Sequence, residues 1–206
     1  MKRKLNKMNK QLYKKLLQGY LKDGFTFVLF NEFDPKKEKQ IILRHDVDFS
    51  VEYALEMANI EAGLGIKASY FFLTHSLYNW HTIDFSDFKG LGHYTGLHID
   101  FNCPIEIDEK TFKNIYSIHR PTKEHLNTDK PFSTYNKKFF TDIFYTSDSG
   151  YKEPKTITEN SQLLIHPIWW MTRKGDINMK LKEWQKLEAK KTNEYISENI
   201  KKELLK

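Results

Sequence analysis

One cysteine, Cys103, stands in a chain of 206 residues. An internal disulfide is therefore excluded, and so is a metal site built from several thiolates. Any metal here must be held by His, Asp and Glu. No apolar run approaches the roughly 20 residues needed to span a bilayer. The basic N-terminal stretch MKRKLNKMNKQLYKKLLQGY leads into no apolar segment and no small-residue cleavage site. The expectation is a cytoplasmic protein with no membrane span. Internal repeats and low-complexity linkers are absent. So are the spacing signatures of zinc fingers and RNP motifs, and the net charge of +6 reads as lysine-rich, solvated helix faces. Nucleic acid is not the expected partner. Length and a hydrophobic content of 39% suit a single domain over 1–206.

What is present is a strand–helix alternation. Residues 9–22 carry Leu12, Leu16, Leu17, Tyr20 and Leu21 at helical spacing, and Gly24 ends the run. Strand-like runs follow at 25–30 and 41–44. Ser50 then stands as an N-cap before a helix with Val51, Ala54, Leu55, Ala58 and Ile60 facing inward. The next run, 67–73, completes a β-α-β unit whose natural pairing is parallel. Shorter apolar runs lie at 94–99, 114–119, 142–147 and 162–166, with room between them for one short helix or none. A C-terminal helix is predicted over 178–205.

Five of these runs end alike. IILR leads into His45, Asp46 and Asp48; TGLH into His98 and Asp100; IYSIH into His119, Arg120 and Pro121; FYTSD closes on Asp148; LLIH closes on His166. Each alone has a bland explanation, since a lone His on a strand is usually a core residue and a lone Asp after one is usually a turn or cap. Five together are harder to explain without function. Parallel strands share one carboxyl rim, where functional groups gather, and burying so many ionisable groups unpaired is costly. Oxygen and imidazole donors suit zinc or a similar divalent ion. With an Asp to take a proton and a His to return one, the set suits metal-assisted hydrolysis.

The segments LRHDVDFSVEYALEMANIEAGLGIKASYFF (43–72), LGHYTGLHIDF (91–101), SIHRPT, YTSDSGY and LLIHPIWW (163–170) resemble, in order, the polysaccharide deacetylase-like proteins. These are relatives of the NodB-type carbohydrate esterases, in a branch often found with surface-polysaccharide biosynthesis. The resemblance runs from about Leu12 to Trp170. It implies an α/β fold, a distorted (β/α) barrel of about seven strands, trimmed here where the segments after Trp80 and Phe101 are short for full helices. It also implies metal-dependent removal of an acetyl group from a carbohydrate.

Residue by residue, the resemblance makes Asp46 the catalytic base and Asp48 a metal ligand. Val47 separates acids that are adjacent in the family, so the two roles are exchangeable. His98 becomes a metal ligand, Arg120 the arginine that orients the base, Asp148 the acid that pairs with that arginine, and His166 the general acid. The family's second metal histidine falls at Asn102, a poor ligand. Asp100, two residues from His98 and on the same side of a strand, is the expected substitute. His93 and His119 are weaker candidates for that ligand place. His119 and the aromatic pair Trp169 and Trp170 are also weak candidates for contacting a sugar, and at least one of the two tryptophans reads as core.

Three other readings compete. A DxD phosphatase or glycosyltransferase would use Asp46 and Asp48 and leave the histidines idle. An inactive barrel would bind a sugar or a partner enzyme. A basic binding module would owe its partner to charge alone.

Overall fold

The computed structural model describes residues 8–101, 114–173 and 175–204. The central strand is β2 (Gln40–Val47), in which every residue is buried. A strand covered on both faces reads as a continuous apolar run and is typical of parallel sheets. Here the apolar run stops at Leu43, and Arg44, His45 and Asp46 continue the strand with polar groups inside the protein. β1 (Thr26–Val28) pairs with the start of β2. β3 (Ser69–Leu73), β4 (Tyr94–Ile99), β5 (Ser117–Ile118), β6 (Phe144–Ser147) and β7 (Ser161–Ile165) complete the sheet.

All six strand pairings are parallel. The order β5-β4-β3-β2-β7-β6 makes a six-stranded curled sheet, a half-barrel, with β1 off this path. The expected strand at 114–119 shrinks to the two residues of β5, and the sheet among the described residues is a partial barrel, consistent with the trimmed barrel expected. Because every neighbour is parallel, the ends of β2, β4, β5, β6 and β7 lie on one rim.

Side-chain alternation along β2 separates two interiors. Ile41, Leu43 and Val47 face a core shared with Tyr70, Phe72, Leu163, Ile165 and the helices. Ile42 faces the concave side with Phe30, Phe33, Phe71 and Phe139, and by the period of two Arg44 and Asp46 share that side. Helix α1 (Lys10–Lys22) is capped by the Asn9 side chain, 3.0 Å from Leu12 N, and buries Tyr13, Leu17 and Tyr20. Helix α2 (Val51–Ala62) is capped by Ser50, as its position predicts, with Oγ 3.3 Å from Tyr53 N. That cap fixes the turn directly after Asp48. The remaining helices are short (α3 Ser86–Gly90, α4 Lys137–Phe140, α5 Pro167–Met171) until α6 (Ile177–Leu204). No helix among the described residues is long and apolar enough to cross a membrane.

Gly96 in β4 has a packing reason. A Cβ there would stand 2.7 Å from the Ile115 carbonyl oxygen and 2.9 Å from the Phe71 ring. The glycine lets the chain entering β5 lie close against β4, which brings Ser117 and His119 to the rim.

Candidate metal centre

Asp46 is 3% exposed and accepts a forked pair of bonds from Arg44, Nε to Oδ1 at 2.8 Å and Nη2 to Oδ2 at 2.7 Å. Residues 44 and 46 project to the same side of β2, so the strand itself supplies the arginine. Arg44 is held in turn by the Gln162 amide oxygen at 3.1 Å, the Tyr135 hydroxyl at 3.2 Å and the face of the Tyr135 ring at 4.7 Å. Burial pushes the Asp46 carboxyl up, but the Arg44 charge and the nearby His98 outweigh it and hold the group well below the usual carboxylate range.

Asp48, His98 and His119 bring one donor atom each within 4.8 Å of the others. His98 Nε2 lies 3.1 Å from His119 Nδ1 and 3.3 Å from Asp48 Oδ1, and His119 Nδ1 lies 3.9 Å from the same oxygen. Ligands about 2.0–2.1 Å from a tetrahedral ion stand roughly 3.3 Å apart, so these separations fit one. Asp48 Oδ1 is buried and accepts no hydrogen bond, a costly state for a carboxylate oxygen unless a cation faces it. Burial raises the Asp48 carboxyl, and the imidazoles of His98 and His166 more than reverse that. Burial lowers His119, against the pull of Asp48, which favours the neutral imidazole a metal requires.

His166, just past the end of β7, faces the same group from the other side, with Nε2 3.9 Å from Asp48 Oδ2. Its Nδ1 lies 2.5 Å from Asp148 Oδ1, and its backbone N–H donates to the same carboxylate. Trp170 Nε1 donates to Asp148 Oδ2 at 2.8 Å. Burial lowers His166, but Asp148, Asp48 and Asp46 overcome it and raise the pKa to about 9. At neutral pH this imidazole is protonated, and Asp148 fixes its orientation.

On the helix side of β2 lies a buried polar cluster. The Glu61 carboxylate accepts from the hydroxyls of Tyr13 and Tyr70. His45 Nε2 approaches it to 2.7 Å, out of line for a hydrogen bond, while Nδ1 is 3.1 Å from the Ile165 carbonyl oxygen and so carries a proton. His93 donates from Nε2 to Ala58 O and accepts at Nδ1 from Ala68 N. Burial raises Glu61, and the His45 and His93 rings outweigh it, leaving the carboxyl below its ordinary value. Asp46, Asp48 and Glu61 are thus all depressed from ordinary values of 3.8, 3.8 and 4.5. The unfolded chain binds more protons than the folded one below about pH 4.5, so stability falls with pH there. Urea midpoints are expected to drop steeply from pH 4.5 to 3. The drop should be shallower in Glu61→Gln.

Several sequence expectations are corrected by these positions. Arg120 is exposed, at φ 48, and it is Arg44 that pairs with Asp46. Asp148 pairs with His166 and Trp170, not with an arginine. Asp100 is outside the ligand group. β4 ends at Ile99, so the alternation that would align residue 100 with His98 has lapsed, and the Asp100 charge is felt at His119. His119, a weaker ligand candidate than Asp100 by sequence, is the residue that brings a donor atom beside Asp48 and His98. Trp169 and Trp170 are buried in the helix-side core, against Tyr151 and Tyr13, because α5 packs on α1, α2 and α6. Neither offers a face to a sugar. Asn102 and Cys103 lie outside the described residues. Sequence reasoning missed Arg44, Ser117 and Glu61.

A cavity of about 550 Å³ bordered by Phe33, Lys138 and Asn160 opens at the amino ends of the strands, away from this chemistry. On the rim, the segment after β3 borders a depression of about 540 Å³, and Ser76 anchors it by donating to the Asp48 carbonyl oxygen at 3.1 Å. A scan against protein-family models and searches of curated proteins and of solved structures each found no match to this chain.

Proposed function

We propose that this protein is a metal-dependent carbohydrate deacetylase of the polysaccharide deacetylase-like, NodB-type kind. It would act on an acetylated sugar or sugar intermediate of surface-polysaccharide biosynthesis. The observation that carries the reading is the Asp48–His98–His119 cluster with a carboxylate and an imidazole set beside it, Asp46 forked by Arg44 and His166 paired with Asp148. A positioned carboxylate and a positioned imidazole at one site suit a divided acid–base task.

Asp48, His98 and His119 would hold the ion, zinc by the donor set of one carboxylate and two imidazoles. When bound, such an ion polarises an acyl carbonyl and lowers the pKa of a coordinated water. The chain's own groups do the rest. Asp46 accepts a proton on Oδ2, the oxygen 3.6 Å from His98 Nε2. Arg44 keeps that carboxylate ionised and oriented. His166 donates the Nε2 proton to the departing amine or alcohol, while Asp148 stabilises the imidazolium at Nδ1.

A DxD phosphatase or glycosyltransferase would leave His98, His119 and His166 without a task, although all three gather around Asp48. An inactive barrel would lack turnover with the same fold. The test is acetate release from N- and O-acetylated oligosaccharides, with zinc content measured on the same samples. Turnover that tracks zinc supports the reading, and zinc-loaded protein that releases no acetate from any of them would sink it. His98→Ala removes one of three donors. Zinc affinity is expected to fall by more than the roughly 10–100-fold that loss of a ligand's supporting hydrogen bond costs. Unchanged occupancy after dialysis would refute the site.

A further inference from the structure

Three functional groups meet on one hydroxyl. Ser117 lies opposite His98 in the β4–β5 register and is fully buried. Its Oγ is 2.7 Å from His98 Nδ1, 2.5 Å from Arg44 Nη2, and 3.2 and 3.3 Å from the two oxygens of Asp46. A hydroxyl has one proton to give and two lone pairs. Arg44 can only donate, and a carboxylate paired with Arg44 can only accept. One lone pair therefore takes the Arg44 N–H, and the hydroxyl proton goes to Asp46. The second lone pair is left for His98, whose Nδ1 must then bring the hydrogen.

An imidazole with its hydrogen on Nδ1 carries its free lone pair on Nε2. That is the atom facing Asp48 and His119. We infer that Ser117 is a positioning residue that fixes His98 in the tautomer able to ligate a cation through Nε2, and couples that ligand to the base Asp46 through a shared hydroxyl. The opposite arrangement, with Ser117 donating to Nδ1, takes the hydroxyl proton away from Asp46. It also places a hydrogen on Nε2, aimed at His119, where it blocks the ligand position. Partners that fix the second nitrogen of a ligating histidine are a general means of setting metal affinity.

The inference rests on the Asp48–His98–His119 centre, and the experiment separates the two. Zinc affinity of the full chain is measured by competition with a chromogenic chelator for wild type, Ser117→Ala and Ser117→Thr. ¹⁵N spectra of the His98 ring in zinc-free wild type report the tautomer. Ser117→Ala is expected to bind zinc about 10–100-fold more weakly, Ser117→Thr to keep the wild-type affinity, and the wild-type ring to carry its hydrogen on Nδ1. Ser117→Ala binding as tightly as wild type, or Ser117→Thr as weak as the alanine variant, overturns the role of Ser117 and leaves the centre standing. So does a hydrogen found on Nε2 in zinc-free wild type, a result that needs no variant to fold. Wild type that binds no zinc at all refutes the centre itself.

Discussion

Asp46→Asn is expected to lower kcat by about 10²–10⁴-fold, the span over which positioned acid–base groups act, while zinc occupancy stays near wild type. The amide has nearly the shape of the carboxylate but cannot accept a proton. It also leaves Arg44 short of one charged partner, because an amide oxygen can take only one arm of the fork now spread over both oxygens. Some loss of stability is therefore expected, and activity is to be expressed per zinc-loaded, folded chain. The informative outcome is the separation of the two readouts. Turnover lost with zinc retained makes Asp46 the base. Zinc lost with Asp46→Asn, and retained with Asp48→Asn, would exchange the roles of the two acids, an assignment the spacing D-V-D leaves open. Geometry favours the first, since the unpartnered oxygen beside both histidines belongs to Asp48.

Much of this centre could be read from strand ends alone. Parallel pairing makes chain position and spatial position agree at the rim, so Asp48, His98, Asp148 and His166 meet because each closes a strand. Relationships across strands were harder. Ser117 touches His98 only because β5 pairs with β4 in one register, and nothing in IYSIH states that register. Asp100 failed for the complementary reason: alternation holds within a strand and ends where the strand ends. Two omissions did carry a signal. Arg44 stands two residues before Asp46 and must share its face of β2, so an arginine for the base was available without reaching to Arg120. Glu61 falls on the inward stripe of α2, three and four residues beyond Ala58 and Met57. An acid on an apolar stripe asks for a partner, and His45 and two tyrosines supply it.

Arg44→Leu should be among the most destabilising single changes in the chain. Removing one member of a buried ion pair strands the other charge, at a cost of about 3–5 kcal/mol. For a chain of this size each kcal/mol moves Tm by roughly 2–4 °C, so a fall on the order of 10 °C is expected. Desolvation also predicts the remedy. Replacing both partners, as in Arg44→Leu with Asp46→Leu, should recover much of the stability, since apolar replacement of a whole buried pair is often neutral. A double-mutant cycle measures that coupling directly. Turnover should not recover if Asp46 is the base, as proposed. Arg120→Asn is the contrasting change. Arg120 is exposed, asparagine tolerates its positive φ, and the effect on stability should stay within about 0.5 kcal/mol. Equal losses of stability and turnover in Arg44→Leu and Arg120→Asn would mean that the base is oriented from Arg120 after all. A large loss confined to Arg44→Leu would place that task inside the strand that carries the base.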